Sequence, residues 1–463
     1  MHAIFAATAR NKPRRASALL AALAAGVMTA GIAMPVSAIA QKAEAQAQPT
    51  NSQAFAKVYG PIANMVTGEI KDWPGAAARV PELRAAIANR KDRHTVGNFM
   101  LTVGGEIGDD MLRRNGLQLM LDSGLVAPED VPRFHYYSGS LAYNTGDRDA
   151  ARASWKQAYE AGYADGDGSL LNDPGYLVVQ SLVQEDQYAP AFEFLMPYLD
   201  ALAASGAGSR EPLIRLGLQA SIDSENAQYG NQLSRMLIEE APSPATWRVG
   251  LQVIGMMNPM SGPVQLDYLR LMREAGALSQ RSEYVRYIEE ADPRVMSNEL
   301  DNVLAEGVAA GHFETRGDTY YTEVKSIIDA RMAEDKRELK RTLADGRSGD
   351  GKLAFIAGDI LYSLDEYSQA ADFYTMAAEK GHEPDASHMR AGASQVMAGD
   401  YPEALQTLKK VGGQFDTVAQ MWSLWAKSRM TTNTAMQDAS AALDDAAAAV
   451  EAAAQAVDAA QAS

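Results

Sequence analysis

KLAFIAGDILYSLDEYSQAADFYTMAAEKGHEPDASHMRAGASQVMAGDYPEALQTLKKV, residues 352–411, follows one pattern twice. Gly358, Glu366, Tyr367, Ala370, Tyr374 and Ala377 return as Gly392, Asp400, Tyr401, Ala404, Leu408 and Val411, each 34 residues further on. A supersecondary unit of this length buries its apolar face only against the next copy, so the period predicts stacked helical hairpins. The same frame occurs upstream in YYSGSLAYNTGDRDAARASWKQAYEAGY, residues 136–163, with Gly139, Gly146-Asp147, Ala151, Trp155 and Ala158.

The residue types have a physical reason. Small side chains let two antiparallel helices approach closely, and Trp155, Tyr374 or Leu408 is expected to fill the hollow against the next hairpin. The Gly-Asp pairs at 146 and 399 stand where a first helix must stop: glycine adopts the left-handed conformation and aspartate caps the helix that follows. Between these units the repeat is degenerate. Residues 179–198 keep Gln187-Tyr188 and Ala191 in the right relation, but an insertion over 164–174 separates them from the earlier unit. RLGLQASIDSENAQYGNQLSRMLIEE, SPATWRVGLQVIGMM and VQLDYLRLMREAGAL show apolar residues at helical spacing. No stretch sustains period-two alternation, so the fold class expected is all-α, an α-solenoid of antiparallel helix hairpins with almost no strand.

The domain organisation follows. Arg10, Lys12, Arg14 and Arg15 precede an apolar run that Pro35 ends, and Ala38-Ile39-Ala40 offers small residues to a peptidase, which predicts a secretory signal over 1–40. Arg14-Arg15 lacks the aromatic and lysine of a twin-arginine signal, so general secretion is the expected route. Residues 41–52 read as a linker, and 53–132 as a helical cap region cut into short helices at Pro74, Pro81, Gly104-Gly105 and Pro128. The repeat array runs over 133–430, its far end marked by Trp422, Trp425 and Ala426. The tail, 431–463, is alanine-rich and acidic, with Met436, Leu443, Val450 and Val457 spaced by seven. It reads as helical or disordered, with self-association or a partner helix through 436–463 as the sharper alternative.

Composition narrows the function classes. The 463-residue chain has a net charge of −17 and no cysteine. Loss of the signal's four cations leaves the mature chain near −21, a surface that repels nucleic acid and anionic lipid. A cysteine-free chain forms no disulfide and carries no lipidated cysteine, which suits the periplasm of a Gram-negative bacterium.

The period, and the small residues at positions eight, twenty and twenty-seven with a bulky one at twenty-four, resemble the tetratricopeptide repeat. The resemblance covers 133–163 and 352–412 well and the intervening chain loosely. It implies a right-handed superhelix whose first helices line a concave groove for a peptide or partner helix. Transferred residue by residue, the groove positions are Arg133, Tyr136, Ser140, Tyr143 and Asn144 in one unit and Lys352, Phe355, Asp359, Tyr362 and Ser363 in another. Met389, Ala393, Val396 and Met397 continue them in the last unit. Tyr136-Ser140 and Phe355-Asp359 depart from the Lys and Asn of the carboxylate-clamp variety, so the groove implied accepts apolar or aromatic side chains.

Other constellations are weaker. Gly346 to Lys352 has the glycine and lysine spacing of a phosphate loop, but Leu353 replaces the magnesium-ligating hydroxyl and the preceding segment is helical, so no nucleotide is expected. Asp165, Asp167, Ser169 and Asp173 alternate like the start of a calcium loop, yet Tyr176 stands where the closing glutamate belongs. His382 and His388 flank Glu383 and Asp385 but fall on turn and packing positions, and Met256, Met257 and Met260 read as helix contacts. Asp109-Asp110 and Glu289-Glu290 diverge on a helix as adjacent residues must, and neither a nucleophile elbow nor an H-E-x-x-H helix is present. The expectation is therefore no enzyme, no cofactor and no metal, but an exported interaction scaffold for an envelope protein. The alternatives are a glycan-acting enzyme on a helical scaffold and a coiled-coil partner acting through the tail.

Overall fold

The computed structural model describes residues 49–164, 169–206 and 208–432, and among them every regular element is helical. The signal, most of the linker, the tail heptads and Asp165 and Asp167 lie outside the described residues. The chain divides into two compact units, Met1–Leu216 and Gly217–Ser463.

The first unit opens with α1 (Gln53–Thr67), α2 (Trp73–Ala78) and α3 (Val80–Ala85), the last two with Pro74 and Pro81 in their first turns, where a missing N–H costs nothing. Three hairpins follow: α4 (Arg90–Ile107) with α5 (Asp110–Asp122), α6 (Val131–Asn144) with α7 (Arg148–Glu160), and α8 (Pro174–Gln184) with α9 (Tyr188–Ser205). Gly104-Gly105 does not break α4, contrary to the sequence expectation. The helix ends at Gly108, which takes φ 71, whereas Gly104 is a contact point: a Cβ there would lie 2.8 Å from Arg113 Cγ and 2.9 Å from the Asp109 carbonyl. The hairpin pattern thus begins inside the segment assigned to the cap. The unit boundary falls within α10 (Glu211–Asp223).

The glycines of the repeat frame explain the hairpins. A Cβ on Gly139 would lie 2.5 Å from Trp155 Cδ1, one on Gly358 2.8 Å from the Tyr374 ring, and one on Gly392 2.6 Å from Leu408. The bulky side chain therefore fills the hollow of its own hairpin's glycine, not the next hairpin's as expected, because the antiparallel partner helix is the first surface it meets. The turns between first and second helices also share one geometry. The N–H groups of Asp147, Gln187, Asn226, Glu366 and Asp400 each bond the carbonyl five residues back, at 2.8–2.9 Å, with the preceding residue at positive φ. That preceding residue is Gly146 or Gly399 in two of these turns, but Asp186, Glu225 and Asp365 in the other three.

The second unit contains α11 (Ala227–Glu240), α12 (Pro244–Met257), α13 (Gly262–Glu274), α14 (Arg281–Glu290), α15 (Ser297–Ala309) and the long α16 (Thr319–Ser348). After them come α17 (Gly351–Ser363), α18 (Tyr367–Glu379), α19 (Pro384–Ala398), α20 (Tyr401–Leu408) and a helix described over 416–432, here α21. On α13 every residue from Val264 to Met272 is buried, polar ones included, so this helix is covered on all sides. Trp422 on α21 is fully buried, and its indole N–H donates to the Asp267 carbonyl at 3.0 Å. Trp425 meets Trp247 of α12 edge-on, with centroids 5.0 Å apart, and Gln420 accepts from Arg235 of α11. The last helix, which the sequence marks as the far end of an array, is thus folded back onto the unit's first helices.

Candidate binding face and a buried ion network

In the first unit, α6 presents the expected residues on one face, since 133, 136, 140, 143 and 144 recur at helical spacing. Arg133 is exposed and paired with Asp130 at 2.6 Å. Tyr136 is half-buried and stacks on Tyr163 with centroids 4.4 Å apart. Tyr143, also half-buried, lies under the Arg148 guanidinium at 3.5 Å, and its hydroxyl donates to Gln184 Oε1 of α8 at 2.7 Å. Asn144 is exposed and donates to Asp110 Oδ2 of α5 at 3.2 Å. The face therefore runs from α5 across α6 to α8, with half-buried tyrosine rings held by neighbours. Arg114 with Asp147, at 2.8 Å, and Arg152 with Ser181 at 3.0 Å and Glu185 at 2.6 Å, tie successive hairpins together.

In the second unit the transferred positions separate. Lys352 is exposed. Phe355 is half-buried against Tyr374 and His382, each with centroids 5.3 Å away, and lies below the Arg390 guanidinium at 4.7 Å. Asp359 and Tyr362 are only 5% and 4% exposed, which corrects the expectation that they line an open groove. Tyr362 is roofed by Arg270 of α13, 4.1 Å from its ring centroid, and Asp359 accepts from Arg390 of α19 and, at 2.6 Å, from the Tyr374 hydroxyl. The distant α13 and the neighbouring α19 have together covered the face that a lone repeat would leave open. Ser363, also buried, accepts from the Glu299 N–H at 2.8 Å.

What covers them is a network that the sequence reading missed. Arg270 grips Glu299 with both fork nitrogens, at 2.8 and 2.7 Å, and the Tyr287 hydroxyl donates to the same carboxylate at 2.6 Å. Burial pushes the Glu299 carboxyl up, but Arg270's charge and hydrogen bonds, with Tyr287, outweigh it and leave it below the ordinary range. Burial drives the hydroxyls of Tyr287, Tyr362 and Tyr374 far above theirs. Arg390 bridges Asp359 and Asp267, with Nε 3.2 Å from Asp267 Oδ1. The available signal was Asp267 and Arg270, three residues apart inside the otherwise apolar LDYLRLM, where a solvated pair would lie on the polar side of the helix. A small, half-open hollow adjoins the network, with Asn298, Met332, Ile360 and Ser363 among its walls.

The weaker constellations take structural places. Gly346 belongs to α16, Asp350 caps α17 through the Leu353 N–H at 3.0 Å, and Lys380 Nζ donates to the carbonyls of Gly346, Arg347 and Gly349. That segment turns carbonyls, not N–H groups, toward Lys380 from the end of α18, the wrong polarity for a phosphate. Asp173 is committed to the Gly175 N–H at 2.7 Å and the Tyr198 hydroxyl. Among the described residues no helix is long and apolar enough to cross a membrane, and no three His, Cys, Asp or Glu gather as metal ligands. No family model and no curated protein matches the chain. The class that the fold defines is an all-α stack of helical hairpins.

Proposed function

We propose that this chain is an exported tetratricopeptide-like adaptor, without a reaction of its own, that binds another protein of the cell envelope through the tyrosine face of its first unit. The observation carrying this reading is the row Arg133, Tyr136, Tyr143 and Asn144. Its rings are held by Tyr163, Arg148 and Gln184, so little side-chain freedom is left to lose when a partner docks. Tyrosine suits such a face because it offers a large apolar body with a polar tip and few rotatable bonds. The partner implied places apolar or aromatic side chains between these rings.

The test is crosslinking in envelope extract, with mass-spectrometric identification of what is captured by residues 41–463, by a chain ending at 430, and by Tyr136→Ala and Tyr143→Ala. Capture should survive the truncation. A central tyrosine should cost about 2 kcal/mol, roughly thirtyfold in affinity. A partner kept by both tyrosine variants but lost with the tail would assign recognition to the alanine heptads.

A further inference from the structure

The ion network contains more carboxylates than guanidiniums. Asp267, Glu299 and Asp359 face Arg270 and Arg390, and none of the five is more than 5% exposed. Fully ionised, the set would hold one uncompensated negative charge away from solvent, a state that proteins avoid by pairing or by taking up a proton.

The hydrogen bonds distinguish the three carboxylates by how well each is satisfied. Glu299 is covered on both oxygens by Arg270 and also by Tyr287. Asp359 Oδ1 receives Arg390 and the Tyr374 hydroxyl. Asp267 has only Arg390 Nε at 3.2 Å and Arg270 Nη1 at 3.4 Å, both on Oδ1, while its Oδ2 is buried with no hydrogen-bond partner. A carboxylate oxygen left bare is the least stabilised site for charge in the network, and the most favourable for a proton.

We propose that Asp267 is held as the neutral acid, protonated on Oδ2, and that this proton is a pH-sensitive catch on the contact between α13 and α19. The groups facing it are Arg270 from its own helix, Arg390 from α19 and Asp359 from α17. Behind these stand Glu299 of α15, Tyr287 of α14 and Tyr374 of α18, and α21 adds only the Trp422 indole N–H on the Asp267 carbonyl. Burial pushes the Asp267 carboxyl up; Arg390 and Arg270 pull it down, Asp359 pushes it up again, and the net direction is up.

The sign follows from linkage. A carboxyl raised in the folded state contributes stability at low pH that is lost as pH rises through its elevated value. Glu299, lowered in the folded state, acts oppositely, and its contribution is lost as pH falls through its depressed value. Deprotonating Asp267 restores the uncompensated charge and loosens α13 from α19. Glu274, at the end of α13, is also raised by burial and provides the control.

The experiment is thermal unfolding of the full chain, Asp267→Asn and Glu274→Gln from mildly acidic to mildly alkaline buffer, beside infrared spectra of aspartate-labelled protein. Asparagine copies the neutral acid, so Asp267→Asn should match the parent at low pH and escape a loss of roughly 2–6 °C in Tm at high pH, a loss that Glu274→Gln, which removes only its own raised carboxyl, retains. The parent should show the carbonyl band of a neutral aspartic acid above the ordinary carboxylate range, and Asp267→Asn should lack it. Parallel Tm curves for parent and Asp267→Asn, or a band that survives the substitution, overturn the proposal. If the variant does not fold, absence of the neutral-acid band from the parent overturns it equally.

Discussion

The two units are built from the same hairpin and held together in different ways. In the first, the side-chain hydrogen bonds among the described residues join positions no more than 44 apart, as between Thr95 and Asn51. In the second, Arg390 reaches Asp267 over 123 residues, Trp422 reaches it over 155, and Arg235 meets Gln420 over 185. The first is a nearest-neighbour stack, in which each hairpin answers mainly to the ones beside it. The second is tied across the chain, so its helices stand or fall together, and the face that the repeat would present has become interior. A repeat motif therefore specifies a building block, and a face remains available for binding only where distant helices leave it uncovered.

The largest test of this contrast is Arg270→Ala. Removing one partner of a buried pair leaves Glu299 uncompensated, and the second unit should lose about 3–5 kcal/mol. Arg114→Ala breaks the Arg114–Asp147 pair of the first unit, whose side chains are 22% and 46% exposed and screened by solvent, and should cost far less. Urea unfolding gives both values, and hydrogen exchange read by mass spectrometry should show Arg270→Ala loosening α13, α15, α17 and α19 together. Loosening confined to α13 would refute the cooperative reading of that unit.

A smaller effect separates contact glycines from incidental ones. Gly139→Ala gains up to about 1 kcal/mol in helix propensity but drives a methyl into the rigid Trp155 ring, and the overpacking term wins, for a net loss of roughly 1–2 kcal/mol. Gly105→Ala, with nothing within 4 Å of the added carbon, should keep the propensity gain and stabilise α4. Equal signs for the two in denaturant titrations would remove the interlock as the reason for the glycine. The smallest effect concerns the hidden turn. Glu225 is exposed at φ 53, so Glu225→Gly should stabilise the second unit by about 0.5–1 kcal/mol, a shift in urea midpoint that Asn226→Gly would not reproduce, because Asn226 caps α11.

Local rules made the fold class readable. The 34-residue frame, its small-against-large pairs and its Gly-Asp turns each name a hairpin from within a single segment, and these features led directly to α6–α7, α17–α18 and α19–α20. The turn at Ser224-Glu225-Asn226 escaped because its positive-φ residue is a glutamate, which carries no sign of the left-handed conformation, whereas Gly146 and Gly399 do. On the candidate face, Tyr136 and Tyr143 could be placed because the helical spacing of α6 fixes their side. Asp359 and Tyr362 could not, since nothing in α17 says that Arg270 and Arg390 will arrive from other helices.

The sequence by itself determined the all-α class and the hairpins α6–α7, α17–α18 and α19–α20, because hydrophobic period, caps and close-approach glycines act over a few tens of residues. Only the tertiary structure decided which repeat faces are open and which are sealed, and that three carboxylates share two guanidiniums inside the second unit. Those outcomes depend on contacts between helices whose residues stand 29 to 155 positions apart, and their electrostatic balance exists only once α13, α15, α17, α19 and α21 have met.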